Sequence, residues 1–521
     1  MTDSLVDFRA QRNAIRNDLG GRDKVERVRS RGRRTIREHI DRLVDVDSFL
    51  ELGTFVRSEV VSDRHKTPTD GLIGGFATVD GRPIVVAGHD ETVMGGSDAR
   101  NGERKMRKLY QHALRARQPL VLFGAAGGGR IPDILGSESM TRGAGTGRDD
   151  AFDWVATRHR QIPMISAIVG RSYGQSSFLS AMSDVVIQVS GTVLAITSPR
   201  VIEAAVSETV SDEELGGRSI QETVTRQIDL GVDTDDDAIA AIRKILSYLP
   251  SNCFEYAPLA TSTVDGIEDR DRRLAALVPA DRRRAYDMRK VVRCLSDDGE
   301  FFELRPRSGK STLTGFIRMD GRSVGVIASQ PTYMAGAITP EGCDKMTRFV
   351  CLCDSFNIPL VTLTDSPGFL VGTRVEQDRL LFKGMMLQQA LSNSQVPRIT
   401  VILRKAFGLA MHILSGPNSG ASAVFSWPEA EISFMDPDVG ANVLYARELS
   451  TLTESERASE TKRLAEELRK GTSAYGGAVH MGIDEIVDPE ETGAVIREML
   501  SRLERSFEAG ASALRRWPTC W

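Results

Sequence analysis

The chain has 521 residues, of which 41% are hydrophobic and 26% charged, with a formal net charge of −4. That length exceeds one ordinary core and predicts two domains of about 200–250 residues each; the mixed charge argues against nucleic acid as a general partner, and neither a signal peptide at the start nor a membrane span is expected. Cysteines stand at Cys253, Cys294, Cys343, Cys351, Cys353 and Cys520 without a CxxC pair, so neither a zinc ribbon nor a disulfide framework is indicated and the expected address is cytoplasmic.

In chain order, Gly20–Asp45 reads as a strongly basic helical stretch with Val25, Val28, Ile36, Ile40 and Leu43 on its apolar side. A hairpin follows in "FATVDGRPIVVAG" (Phe76–Gly88), turning at Asp80-Gly81-Arg82, where glycine accepts the positive φ of a tight turn. Next come a helix, "GERKMRKLYQHALRAR" (Gly102–Arg117), a buried strand from Pro119 that runs into "GAAGG", and a helix over Ala151–Gln161. "QIPMISAIVGRSYGQS" (Gln161–Ser176) reads as a strand, a glycine turn and a helix start, and Asp184–Val201 as two short strands closed by Pro and Val. Ser251–Phe301 is charged and reads as the joint between domains.

The second half repeats the first. "FIRMDGRSVGVIAS" begins at Phe316, 240 residues after Phe76, and "PLVTLTDSPG" at Pro359, 240 after Pro119. "QVPRITVILRKAFGLA" (Gln395–Ala410) echoes Gln161–Ser176 with Pro163 and Pro397 234 apart. Between them lie helices "GCDKMTRFVCLCDSF" (Gly342–Phe356) and "LLFKGMMLQQALSN" (Leu380–Asn393); Ser422–Val439 repeats the paired short strands. Ordered matches at nearly constant spacing indicate duplication of a whole domain built from β-β-α units, layered as strands with helices outside. Thr453–Gly471 reads as a solvated helix and Glu491–Phe507 as a closing amphipathic one.

The chain has no HExxH, Walker or GxSxG motif, and His39, His65, His89, His112, His159, His412 and His480 lack metal-ligand spacing. "GAAGGGR" (Gly124–Arg130) lacks the GxGxxG spacing of a dinucleotide loop. Ser176 and Ser177 follow a glycine turn, but no histidine partner is defined, which favours capping or packing. Backbone chemistry remains. Gly128-Gly129 with Gly174, and Gly368 with Gly408, are paired glycine turns where N–H groups can approach a ligand oxygen, or where helix and sheet pack closely.

The chain resembles the carboxyltransferase (β) subunits of biotin-dependent acyl-CoA carboxylases, such as those acting on propionyl-CoA. The resemblance rests on "HDETVMGGS" (His89–Ser97), "GGGRI" (Gly127–Ile131), "ITSPRVIEAAVSETVSDEELGG" (Ile196–Gly217), "CDSFNIPLVTLTDSPGFLVGT" (Cys353–Thr373), "RKAFGLA" (Arg404–Ala410) and "MGIDEIVDP" (Met481–Pro489). It implies an α/β fold of two tandem crotonase-like domains, residues 1–255 on the acyl-CoA side and 301–521 on the carboxybiotin side, joined by a linker, 256–300. It also implies a homo-oligomer, a hexamer built as a trimer of dimers in which the N-domain of one chain faces its partner's C-domain. Carboxybiotin would come from a separate biotin carboxylase/biotin-carrier subunit, since no Met-Lys-Met carrier motif is evident; no metal is called for.

Matching positions imply a thioester oxyanion hole of N–H groups at Gly128, Gly129, Gly174 and Gln175. A biotin hole would lie at Gly368, Phe369, Leu409 and Ala410, beside Gly408. Arg130, Arg104 and Lys105 would be candidates to meet CoA phosphates. The family usually has Gly-Gly where this chain has Gly174-Gln175 and Gly408-Leu409; either these turns adopt ordinary dihedrals at the second residue, or the holes are altered. His412 occupies a position that influences acyl choice. Two other readings stay open: a biotin-independent decarboxylase of a malonyl-type thioester, and a non-catalytic partner of a true carboxyltransferase.

Overall fold

The computed structural model describes residues 3–138, 158–261, 267–416, 419–504 and 506–518. In each half a two-residue turn sets the register of a sheet. Strands β2 (Leu72–Val79) and β3 (Arg82–His89) pair antiparallel from Leu72↔His89 to Val79↔Arg82; β11 (Thr312–Met319) and β12 (Arg322–Ser329) pair from Thr312↔Ser329 to Met319↔Arg322. Asp80 and Gly81 have φ of 51° and 76°, and Asp320 and Gly321 have 49° and 74°. Such left-handed pairs match the twist of the strands they join. The Asp45 carboxylate accepts from the N–H groups of Asp80 and Gly81 at 2.9 Å each, and the Asp297 carboxylate does the same for Asp320 and Gly321 at 3.0 and 2.8 Å.

The chain divides at Glu255/Tyr256 into two compact units, returning to the first from Arg516. Among the described residues, the first unit holds a sheet ordered β1-β2-β3-β4-β5-β7-β9, with β1 (Leu50–Glu51), β4 (Leu120–Gly124), β5 (Met164–Ile168), β7 (Val185–Val189) and β9 (Leu230–Val232). The two hairpin contacts are antiparallel and the rest parallel. A side ribbon pairs β6 (Arg171–Ser172) with β8 (Val193–Leu194). The second unit orders its sheet β10-β11-β12-β13-β14-β15-β17, with β10 (Phe302–Leu304), β13 (Leu360–Ser366), β14 (Arg398–Phe407), β15 (Ala423–Ser426) and β17 (Glu485–Ile486). Here β14 is unbroken, and β16 (Glu431–Ser433) pairs with its far end. In the first unit Gly170 interrupts the equivalent run between β5 and β6.

Helix α1 (Arg100–Ala116) buries Met106, Leu109, Tyr110 and Ala113 against β2 to β5. Its counterpart in the second unit, Pro340–Ser355, buries Met346, Phe349, Val350 and Cys353. The basic stretch near the start forms two helices, Arg22–Ser30 and Ile36–Leu43, the second capped by Thr35 and Glu38 in a reciprocal capping box; Val25, Val28, Ile36, Ile40 and Leu43 are buried. Glu454–Arg469 is helical and largely exposed, and Thr492–Leu503 buries Ile496 and Leu500. The helix expected over 151–161 falls largely outside the described residues.

Residues 256–300 depart from the linker expectation. They carry helices Ile267–Leu277 and Met288–Leu295, whose Leu274, Met288, Val291, Val292 and Leu295 belong to the core of the second unit, with Val278 and Tyr286 between them. The charges that suggested a connection have partners. Arg270 donates to the Ser296 carbonyl at 2.7 Å, and Asp271 pairs with Arg497 at 3.3 Å.

Each unit also ties its hairpin to a helix through one buried ammonium. Lys105 Nζ donates to the carbonyls of Gly53 and Leu72 at 3.1 and 2.5 Å; Lys345 Nζ, 240 residues on, donates to Ser308 and Thr312 at 3.2 and 2.7 Å. Burial pushes Lys105 down to about 8 and Lys345 to about 7 from the ordinary 10.5. Unfolding restores the ordinary value, so between pH 7 and 10.5 the unfolded chain binds the extra proton, and stability rises with pH by up to about 1.4 kcal/mol per unit per group. Denaturant midpoints at pH 7 and 9 should therefore rise for the wild type and rise less for Lys345→Met. Equal slopes would show that Lys345 keeps its proton in the folded state.

Candidate active site

In the first unit two glycine turns touch. β4 ends at Gly124 and the chain runs through Gly128, at φ 93°; after β6 it reaches Gly174, at φ 60° and ψ −133°, which leads into α2 (Gln175–Ala181). A Cβ placed on Gly174 would lie 3.3 Å from Gly128 Cα and 3.5 Å from Gly129 N. The contact is fixed on both sides. Tyr173 N–H donates to the Ala126 carbonyl at 3.1 Å, and Asp98 bridges Gly129 through Asp98 N–H to Gly128 O at 2.8 Å and Arg130 N–H to Asp98 O at 2.6 Å.

The second unit repeats the arrangement. Gly368 has φ 113° and Gly408 φ 57°, and Ile338 bridges Phe369 as Asp98 bridges Gly129. A Cβ on Gly368 would stand 3.2 Å from the Phe407 carbonyl oxygen, and one on Gly408 2.9 Å from that of Phe434. These dihedrals are strained for any residue with a side chain.

Not every expected donor is available. Gly174 N–H already donates to Ile196 O at 3.0 Å, Gly408 N–H to Ser433 O at 2.8 Å, and Gly368 N–H to Ser366 Oγ at 3.2 Å. Among the described residues, the N–H groups of Gly129 and Gln175 in the first unit, and of Phe369, Leu409 and Ala410 in the second, have no acceptor. Gln175 and Leu409 both lie outside the positive-φ residues. Replacing the second glycine of each turn therefore leaves the backbone path open to an ordinary residue, and the glycine that matters is the first.

Side chains at the turns act as braces. Tyr173 O–H donates to Asp212 Oδ1, and Arg171 Nε lies 3.0 Å from Asp212 Oδ2. Burial and the Asp212 carboxylate hold the Tyr173 hydroxyl well above its ordinary value, so it is no base at neutral pH. In the second unit the buried Asp365, beside Gly368, takes Arg404 at 2.8 Å and Lys405 at 3.4 Å. Ser176 bonds Ser172 at 3.0 Å and Ser177 donates to Gly174 O at 2.8 Å, so both are local braces. His412 is exposed on the π-helical turn Met411–Ser415, which follows Ala410 directly; such turns concentrate at functional sites.

Two of the three cations expected at CoA phosphates have protein partners. Arg130 is 2% exposed, with its guanidinium on Asp70 at 2.7 Å, Asp133 at 3.2 Å and Ser97 O at 3.1 Å. Lys105 points its ammonium at the two carbonyls described above. Arg104 is exposed and pairs with Glu59. The sequence reading missed His89, whose Nε2 lies 2.6 Å from Asp98 Oδ1, and Glu103, which accepts from Gln175 Nε2 at 3.2 Å. His89 and Asp98 bracket one motif, which was the available signal; Glu103 carried none, since it meets Gln175 only through the fold.

A model described as the carboxyl transferase domain matches residues 27–511. The chain belongs to that family. It is 35% identical to a putative propionyl-CoA carboxylase beta chain of Bacillus subtilis (strain 168) over 91% of each chain, and 34% identical to the methylmalonyl-CoA decarboxylase subunit alpha of Veillonella parvula over 94% of each. The transcarboxylase 12S crystal structure, a hexamer with methylmalonyl-coenzyme A and methylmalonic acid bound, superposes with a TM-score of 0.88 at 32% identity, covering 96% of both chains. This carboxyltransferase has the two-domain crotonase-like fold of that neighbour.

Gly174→Ala and Gly408→Ala should each destabilise by about 1–3 kcal/mol from backbone strain and cut turnover at least tenfold. Gln175→Gly should stay within a few-fold of wild type. Steady-state rates with thermal melts check both, and a wild-type rate for Gly174→Ala would remove the turn from the chemistry.

Proposed function

We propose that the protein moves CO2 from carboxybiotin to the α-carbon of an acyl-CoA, with the acyl thioester held by the first unit and the biotin by the second. The observation that carries this is the duplicated turn: in each unit the N–H groups that follow a positive-φ glycine are left without a backbone acceptor among the described residues. The thioester oxygen would sit on the N–H groups of Gly129 and Gln175, where an enolate oxygen gains more than a carbonyl oxygen does. Each such donor is worth on the order of 3 kcal/mol in a transition state. Phe369, Leu409 and Ala410 offer the donors for the biotin ureido oxygen, and the missing Cβ of Gly368 lets its turn pack against the Phe407 carbonyl. When bound, carboxybiotin supplies the CO2 and, after releasing it, the base for the α-proton. That agrees with the bracing roles of Tyr173, Ser176 and Ser177, none of which is set up as a base. His412, one residue beyond Leu409-Ala410-Met411, is proposed as a lining residue that tunes acyl choice. A hexamer served by a separate biotin-carrier subunit fits the resemblance to the 12S core.

The Veillonella relative supports a second reading, decarboxylation of a malonyl-type thioester, which needs the first unit's turn alone. One experiment separates them. The purified chain is mixed with malonyl-CoA or methylmalonyl-CoA, with and without free biotin, and the thioesters are followed by mass spectrometry. CO2 loss only with biotin is the expected result. Loss that ignores biotin establishes the decarboxylase, and no loss with either ester, beside an active homologue, defeats both.

A further inference from the structure

In both units the glycine turn that follows β4 or β13 is clamped to the segment leading into a long helix. Asp98 N–H donates to Gly128 O and Arg130 N–H to Asp98 O in the first unit; in the second, Ile338 N–H donates to Gly368 O and Leu370 N–H to Ile338 O, at 2.9 Å each. The side chains at the two clamps are opposite in kind. Ile338 is buried and apolar, and Ser329, at the end of β12, stands where the first unit has His89 at the end of β3. Asp98 puts a carboxylate into the same kind of place, 8% exposed, with its Oδ1 2.6 Å from His89 Nε2.

A buried carboxylate is unfavourable unless it is paired, and the second unit shows that the clamp forms around an apolar side chain. What the pair adds is direction. Apolar burial has none, whereas a short polar contact fixes a distance between two named atoms. His89 is itself held in place, since it is 5% exposed and lies in register with Leu72 of β2. Among the described residues no other cation lies within ion-pair distance of Asp98: Arg130 is committed to Asp70 and Asp133, and Arg100 pairs with Glu59. Asp98 Oδ2 is buried without a hydrogen-bond partner, so the carboxylate is tied to the sheet through His89. The backbone of Asp98 in turn holds both residues that flank Gly129, whose N–H is an open donor of the turn.

We infer that His89 and Asp98 are a positioning pair that aims the Gly129 N–H at the thioester oxygen, a role that rests on the function proposed above. Hydrogen exchange of the full chain, followed by mass spectrometry, tests the mechanical part without turnover. In His89→Ala, peptides covering Asp98 and Arg130 should exchange faster, while those covering Ile338 and Leu370 keep the wild-type rate. In biotin-dependent CO2 release from methylmalonyl-CoA, His89→Ala should lower kcat by about tenfold or more with KM little changed, because a displaced donor is missed in the transition state. His89→Gln, which keeps a side-chain N–H at similar reach, should recover most of that loss. The double variant His89→Ser/Asp98→Ile copies the second unit; it should melt close to wild type and still show the lowered kcat. Unchanged exchange in His89→Ala, or a wild-type kcat in the double variant, overturns the inference. A wild type that releases no CO2 defeats the proposed function instead, and the exchange rates then still decide whether the pair holds the clamp.

Discussion

In the first unit the Gly174 turn lies so near the other strand end that a Cβ on it would stand 3.3 Å from Gly128 Cα and 3.5 Å from Gly129 N. The approach of Gly174 to Gly128 and Gly129 goes with the bonds around it: Tyr173 N–H turns back to Ala126, Gly174 N–H goes to Ile196, and the next N–H has no backbone acceptor among the described residues. A side chain at Gly174 would meet backbone, which cannot move aside as a flexible side chain can. Close packing of backbone against backbone thus fixes where the N–H groups that follow the turn lie. The second unit packs Gly368 against the Phe407 carbonyl, and there too the N–H groups that follow have no backbone acceptor among the described residues.

Much of this was legible in the sequence because duplication supplied its own control. Asp-Gly-Arg turns, proline positions and glycine turns recur at fixed spacing, so each half checks the other, and the hairpin registers coincide. What was not legible depended on contacts across the fold. Nothing in the string "EDRDRRLAALVPADRRRAYDMRK" says that Ser296 O and Arg497 await its charges, so its apolar residues were discounted, although Leu274, Met288 and Val291 lie at the centre of a core. The partners of Arg130 and Lys105 were hidden for a related reason. A cation beside a glycine turn looks like an anion site until Asp70 or a pair of carbonyls is seen to be waiting for it. The altered turns at Gln175 and Leu409 were a question of φ, which residue type bounds but does not decide.

The braces behind the turns differ between the units although the turns agree. The first uses Tyr173 and Arg171 on one aspartate; the second places Asp365 under Arg404 and Lys405, with the Arg404 guanidinium 4.7 Å from the centre of the Tyr286 ring. Duplication has preserved the backbone geometry while the side chains supporting it have diverged.

The buried lysines have a chemical side. An amine whose proton leaves near neutrality is a strong nucleophile, and a protein that handles acyl thioesters exposes its amines to acylating agents. Burial that lowers the pKa of Lys345 and Lys105 also limits their reach: each nitrogen is buried beside a hairpin and held on two carbonyls. Local opening of either hairpin would raise the pKa towards its ordinary value as it admits the thioester, and the amine would become protonated as it became reachable. The burial that lowers their pKa thus also keeps these two amines out of reach of acylating thioesters.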